Sequence, residues 1–485
     1  MSRESRALAL VAAAALAVAI AAARPWAGAW NDGSRLATVE SLVDHGTLAI
    51  DDSIFVAVPP ERTPYQGIAL ANGTLDKLLI DGRYYSDKSP VPGLLLAAVY
   101  QLLQWLTGLS ARLHPAAFCY LMTLASSGAA YVCAVVCVFR LGRPLGLTLP
   151  WRLALTASFA LATVAVVYTQ HVNNHVLLLG VAAVLTLQLA DLTVAAPAWR
   201  LALIGSLAGL GYAIDLGAGP PLLIAACLAA AWQDGRWLWS AALFTLGALP
   251  WLALHHAVNY AVGGTLAPAN AVPAYFDWPG CPFHGTAMTG SWHHQSVLDF
   301  AVYALAMLFG KRGFFGHNLP LFLLLPGAWW LLRHRPRETP LLAFAALWAV
   351  GTWLLYAANS RNYSGMNLTI RWFVPLLAPA FAALAVLLRD RPASRAPFLV
   401  LSAGGLVLAI GAWSPGPWSD RMVPLFWPVQ AAALLGWAWL SRRRLKPAVD
   451  PGGYTDMSPR VIAERRPARP PGAPACAEVL EGDPA

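Results

Sequence analysis

The sequence predicts an all-α polytopic membrane protein, and three observations predict it. First, 58% of the 485 residues are apolar and only 12% are charged, about half the charged share of a soluble protein. Second, mean hydropathy is +0.54, and the apolar runs are continuous. They suit helical spans of about 17–25 residues and lack the two-residue alternation of a barrel wall. Third, Lys and Arg collect in short loops between those runs, as they do on a cytoplasmic face. A soluble globular enzyme, a disordered chain and a fibrous repeat are excluded. The net charge of +9 and pI near 9.4 would suggest nucleic acid in a soluble protein. Here the loops account for the charge, and no nucleic-acid partner is expected.

Residues 7–23 are almost pure Ala, Val and Leu, preceded by Arg3 and Arg6. They read as an uncleaved first span, although Ala21-Ala22-Ala23 resembles a signal-peptidase site. Further apolar runs lie near 91–107, 115–139, 150–168, 174–194, 198–214, 219–232 and 237–258, then 297–310, 319–333, 340–358, 372–389, 397–413 and 424–441. The basic loops hold Arg140, Arg143 and Arg152; Arg200; Arg236; Arg333, Arg335 and Arg337; Arg391 and Arg395; and Arg442, Arg443, Arg444 and Lys446. All of them reach the cytoplasm together only if 91–107 and 297–310 do not cross. That gives about twelve crossings (roughly 12–14), with juxtamembrane helices and both termini inside. Residues 1–441 then form the integral membrane domain. The Pro- and Ala-rich tail 442–485 reads as a disordered cytoplasmic extension.

This topology sends the polar chemistry outside, to 24–90, 169–174, 215–218, 259–318, 359–371 and 414–423. The expected setting is the inner membrane, with the active side facing the periplasm. Six cysteines are present, with neither a disulfide framework nor a CxxC zinc spacing. No metal site and no cofactor are assigned, and a divalent metal stays a minor alternative through Asp277, His284, His293 and His294.

The first external loop, 24–90, carries nine of the 24 acidic residues, more than a connector needs. In SRLATVESLVDHG, Leu36, Val39, Leu42 and Val43 recur at helical spacing. Ser34 suits its start and Gly46 its end. Such a helix would lie on the membrane with its apolar stripe down and Asp32 just before it. Asp81-Gly82, between Leu78-Leu79-Ile80 and Arg83-Tyr84-Tyr85, predicts a two-residue hairpin. The hairpin delivers Asp87 and Lys88 to the next helix, which Pro90 and Pro92 begin.

A first span, an acidic external loop and the fragment YYSDKSPVPGLL together resemble the GT-C superfamily of membrane glycosyltransferases. The likeness is to the protein O-mannosyltransferases and lipid A aminoarabinose transferases. The resemblance implies inverting transfer of a sugar from a polyprenyl-phosphate carrier to an external acceptor. It implies that Asp32 is the catalytic base and that Lys88 lies near the donor phosphate. The chain departs from the family pattern in two places: Ser89 replaces the first Pro after the Lys, and WNDGSR replaces a double-acid step. Glu40, Asp51 and Asp52 therefore stay open as alternative bases.

The chemistry asks for a carboxylate to accept the acceptor hydroxyl's proton and cations to stabilise the leaving phosphate. Arg371, in NLTIRWFVPLLAP, offers a planar fork at the external end of a span, against the inside bias of basic residues. The plain alternatives are a helix-terminal acid for Asp32 and snorkelling for Lys88 and Arg371. Asp87, Asn174 and His175 (within TQHVNNH) and Arg312 are further candidate substrate contacts, with helix capping the plain alternative for Asn173 or Asn174. The aromatics of 259–296 suit either a sugar site or interface anchoring. The partners expected are the bilayer, the lipid-linked donor and an acceptor. The competing function is a transporter or flippase of lipid-linked sugars. The gathering of acids in one loop, with few midspan charges, favours the enzyme.

Overall fold

The computed structural model describes residues 2–56, 73–284, 287–334 and 336–443. Glu61, Arg335, Arg444, Lys446, Cys476 and nearly all of the expected disordered tail lie outside these residues. The regular structure of the described residues is helical apart from one hairpin. Helix α1 (Arg3–Ala22) is capped by Ser2, whose side chain accepts from the Ser5 N–H. Helix α2 (Trp30–Asp44) follows, then β1 (Lys77–Ile80), β2 (Arg83–Ser86) and α3 (Pro90–Thr107). Helix α4 (Pro115–Thr123) runs through a π-turn (Leu124–Gly128) into α5 (Ala129–Leu141). Helices α6 (Leu149–Leu161), α7 (Ala165–Tyr168), α8 (Asn174–Ala190), α9 (Ala198–Ile214), α10 (Gly219–Asp234) and α11 (Trp237–Gly263) follow. After a loop come α12 (Val297–Phe309), α13 (Phe314–His317), α14 (Leu324–His334), α15 (Thr339–Ala358), α16 (Leu377–Asp390), α17 (Arg395–Trp413) and α18 (Phe426–Arg443).

Among the described residues, six helical stretches are long and apolar enough to cross a membrane: Arg3–Ala22, Pro115–Leu141, Trp237–Gly263, Thr339–Ala358, Arg371–Asp390 and Pro392–Trp413. Asn174–Ala190 and Ala198–Ile214 are shorter apolar helices. Arg371–Asp390 is the most buried of the six, and the main core forms around it. Phe159 meets Phe381 edge-on with ring centroids 5.2 Å apart, and Trp348 Nε1 donates to the Ala218 carbonyl at 3.0 Å. Helix α12 has 13 residues, about 20 Å at 1.5 Å per residue, short of a hydrocarbon core of about 30 Å.

The helix of the first loop differs from expectation. It starts at Trp30, four residues before Ser34, so Asp32 lies inside its first turn. Asn31 to Ser41 are buried without a break. The helix is therefore packed within protein, not laid on the bilayer by one apolar stripe. Leu36, Ala37 and Val39 join Phe55, Tyr100 and Phe118 in a second core under α3 and α4. The hairpin forms as the Asp-Gly step predicts, with Lys77 opposite Ser86 and Ile80 opposite Arg83. Asp81 at φ 50° and Gly82 at φ 77° give the left-handed pair that a tight hairpin needs.

Loop contacts sort the chain's turns into two ends. At one end, Arg24 N donates to Gln170 O, Gln170 Nε2 to Trp413 O, and Leu368 N to Pro417 O. At the other, Arg152 pairs with Glu4, Ala196 N bonds Asp234, and Arg337 and Arg389 donate to Pro144 O and Leu145 O. Helix α1, about 30 Å long over its 20 residues, runs from Glu4 at the second end towards the first.

Candidate functional site at one end of the bundle

The site is built on the docking of α2 against the hairpin. Ser34 Oγ donates to the Asp76 carbonyl at 2.5 Å and meets Ser86 Oγ at 2.6 Å. One buried serine thus joins the helix to both ends of the hairpin. The hairpin's inner face, Leu78 and Ile80, packs on Phe276, Trp278 and Cys281. The aromatics Phe276 and Trp278 therefore support the hairpin, and Trp278 Nε1 donates to Lys77 O at 3.2 Å.

Strand β2 then delivers Asp87 and Lys88. Lys88 Nζ lies 2.7 Å from Asp76 Oδ2 and 2.6 Å from Asp87 Oδ2, and its side chain is 15% exposed. Its charge is therefore already paired twice. Asp87 Oδ1 is buried with no hydrogen-bond partner among the described residues. Burial raises the Asp87 pKa, Lys88 opposes that shift and Asp76 adds to it. Ser89, in place of the family's proline, donates to the Ala213 carbonyl and lies 3.2 Å from His255 Nδ1. A cavity of about 30 Å3 lined by Asp87, Lys88, His255, Asn259 and Asn270 opens beside it, close to the volume of one water.

Asp32 closes the start of α2. Its Oδ2 accepts from Gly28 N at 2.6 Å and its Oδ1 from Ala29 N at 2.8 Å. His171 Nδ1 stands 3.3 Å from Oδ2. Gly28 permits this approach: a Cβ there would meet the His171 ring at 2.6 Å and Trp418 at 2.5 Å. Asp32 is thus buried and serves as a helix-terminal acid, with each oxygen keeping a further lone pair.

Arg35, which sequence reasoning passed over, stands at the centre. It is buried, its Nη1 donates to Asn31 O and Oδ1, and its Nη2 donates to Asn174 Oδ1 at 2.7 Å. Burial lowers its pKa to about 10, followed by repulsion from Arg371, with Asp87, Asp76 and Asp32 opposing. Asp32, Asp87 and Arg371 therefore all lie within the electrostatic reach of one guanidinium. A helix begun at Trp30 would have put Asn31 and Arg35, four apart, on one face. That was the missed signal.

Asn174 and His175 open α8, with Asn173 as the cap, its side chain accepting from His175 N at 2.8 Å. Asn174 Nδ2 is 3.5 Å, and His175 Nδ1 2.8 Å, from Asp215 Oδ2. Tyr356 OH donates to Asp215 Oδ1 at 2.7 Å, and the Gly217 and Ala218 N–H groups bond the same oxygen. Burial alone would raise the Asp215 pKa; the contacts from His175, Tyr356 and Ala218 outweigh it and bring it to about 2. Tyr356 stacks on Trp372 at 4.0 Å and 3°, beside Arg371. A polar path therefore runs from α2 through α8 and the 215–218 turn to Tyr356 of α15, whose ring stacks on the residue next to Arg371.

Arg371 is half-buried, and its Nε is buried with no hydrogen-bond partner among the described residues. Its guanidinium lies 5.4 Å from the centroid of Trp418 and forms no ion pair among the described residues. Arg312 stands nearby, tied to the loop before Arg371. Its Nη1 donates to Gly365 O at 2.9 Å, and its carbonyl accepts from Thr369 Oγ1 at 2.8 Å, so it braces the loop that presents Arg371. Among the described residues no group of three His, Cys, Asp or Glu is placed to hold a metal. Asp51 bonds Tyr84 N at the hairpin, and Glu40 bonds Ser53 and Ile54.

No family model matches the chain, and no curated protein matches it. Two solved structures of ArnT from Cupriavidus metallidurans resemble it weakly in overall course. The one bound to undecaprenyl phosphate has a TM-score of 0.46 at 14% identity, over 90% of this chain and 76% of that one. The apo structure has a TM-score of 0.47 at 15% identity, over 91% and 78%.

Proposed function

We propose that the chain is a membrane glycosyltransferase of GT-C type. In this reading it takes a sugar from a polyprenyl-phosphate carrier and passes it, with inversion, to an acceptor on the periplasmic face. About twelve crossings of the inner membrane, with 91–107 and 297–310 not crossing, place Asp32, Lys88 and Arg371 on that face. The observation that carries the reading is the unpaired Arg371 guanidinium within the field of Arg35. Two like charges, Arg35 buried and Arg371 half-buried, with little but the Trp418 ring beside Arg371, need an anion. A phosphate at a bidentate fork is that anion.

In the reaction the acceptor oxygen attacks the anomeric carbon, and the bond from that carbon to the phosphate oxygen breaks. The acceptor's proton goes to Asp32. The charge left on the polyprenyl phosphate is met by Arg371, with Lys88 contributing once its pairing to Asp76 and Asp87 is relaxed. Asn174 orients Arg35, His175 holds Asp215, and Arg312 braces the Arg371 loop. Given the small cavity beside Lys88, the donor's head enters with displacement of the 268–270 wall. A second reading makes Asp87 the proton acceptor, favoured by its unpartnered Oδ1.

The test follows release of polyprenyl phosphate from a labelled polyprenyl-phosphate hexose by the purified protein. Asp32→Asn keeps an oxygen for the helix start and removes the base, so turnover should fall by roughly 10²–10⁴. Undiminished turnover removes Asp32 from the role, and the same loss in Asp87→Asn alone transfers it to Asp87.

A further inference from the structure

The end of the bundle opposite Arg371 holds a cavity of about 630 Å3 bounded by α1, α5, α6, α8 and α9. Four arginines line it, Arg140, Arg143, Arg152 and Arg200, against two acids, Glu4 and Asp191. Two of the arginines are engaged within the fold. Arg152 donates to Glu4 at 2.9 Å and to Phe139 O at 3.1 Å. Arg200 donates to Asp191 O at 2.9 Å and to Gln188 at 3.2 Å.

The other two are not engaged in this way. Arg143 is 75% exposed and reaches Glu4 only at 4.0 Å. Arg140 is exposed, and its side chain forms no hydrogen bond or ion pair with any described residue. A solvated arginine on an open surface would carry no implication. Here two of them face a cavity with a local excess of two positive charges. Leu8 and Leu187 give that cavity apolar wall. The flanking helices present apolar side chains outward, Leu10 of α1 at 70% and Trp199 of α9 at 63% exposure.

A ligand matching this surface has one anionic head and an apolar body. The geometry points to a binding site for an anionic phospholipid, with its phosphodiester facing Arg140 and Arg143 and its acyl chain following Leu8. Arginine suits the diester oxygens through its planar fork, and each basic residue near such a headgroup contributes about 1 kcal/mol. The site is remote from Asp32 and does not depend on the glycosyltransferase reading.

Native mass spectrometry of the full chain in detergent, with added phosphatidylglycerol or phosphatidylcholine, tests it. The wild type should retain phosphatidylglycerol about tenfold more tightly than phosphatidylcholine, undisplaced by inorganic phosphate. Arg140→Gln with Arg143→Gln should weaken phosphatidylglycerol by more than about tenfold. The control pair Arg3→Gln with Arg391→Gln, exposed and outside the cavity, should not. Arg143→Gln alone, at a position that bears no packing, should cost about fivefold. Equal retention of the two lipids, equal loss in both double variants, or no loss in Arg143→Gln overturns the proposal. Displacement by inorganic phosphate also overturns it, by assigning the site to a free anion.

Discussion

Arg371 and Lys88 are both cations at the site, yet their surroundings differ. Lys88 is held between Asp76 and Asp87, whereas Arg371 pairs with no acid among the described residues. Arg371→Ala should therefore lose donor binding by at least about tenfold while leaving the thermal midpoint unchanged or higher, because removing an unpaired half-buried charge relieves the fold. Arg371→Lys should restore little, since a point charge does not replace the fork. Titration with undecaprenyl phosphate, read by tryptophan fluorescence with Trp418 adjacent, measures both. Glu40 offers a separate test. Burial raises its pKa from 4.5 to about 7, against hydrogen bonds from Ser53 and Ile54. The folded state therefore holds the proton more tightly than the unfolded chain does. The resulting stability is fully present below pH 4.5 and is lost as pH rises through about 7. In Glu40→Gln the thermal midpoint should decline less between pH 5 and 8 than in the wild type, and an identical decline would exclude Glu40 as its source.

The hairpin and α2 show which parts of an element the sequence makes legible. The Asp81-Gly82 turn was readable because its cause is local: two adjacent residues tolerate positive φ. The start of α2 was not readable by the usual cap rule. No Ser, Thr, Asp or Asn stands at its cap position, which is Ala29. Asp32 does the capping from inside the first turn, by reaching back to two backbone N–H groups. That displacement hid Arg35, and it put Asp32 in a buried helix where a surface loop was expected. The Ser34 contact with Asp76 and Ser86 was also hidden, because it joins residues 42 and 52 positions apart. Ser34→Ala should leave the buried Asp76 carbonyl short of a donor and cost about 1–3 kcal/mol. It should also lower activity beyond what the remaining folded fraction explains, because β2 places Lys88. Thermal unfolding and turnover per folded molecule measure the two effects.

At the scale of the molecule, the charge pattern alone divided the turns into two sets, and the contacts keep those sets at separate ends. Arg152 with Glu4 and Arg389 with Glu338 lie at one end, and Asp32 with His171 and Asn174 with Asp215 at the other. The path from α2 to Trp372, polar as far as Tyr356 and a ring stack beyond it, was not legible as a whole. Its members come from five separate stretches of chain, and only their burial together gives each a partner. Among the described residues, six helices are long and apolar enough to cross by themselves, while α8 and α9 are apolar but shorter. In intact cells, single cysteines at Asp81 and Arg421 should react with a membrane-impermeant maleimide, and those at Arg143 and Arg391 should not. The reverse pattern would put the site in the cytoplasm. The proposal stands or falls on whether Arg371 and Lys88 receive a lipid's phosphate. A cryo-electron microscopy structure of the full chain with undecaprenyl phosphate tests it most directly. The phosphate should lie within hydrogen-bond distance of the Arg371 guanidinium and beside Lys88, with the prenyl chain running down the bundle's side. A phosphate seated away from both, with the Arg371 guanidinium still unpartnered, would contradict it.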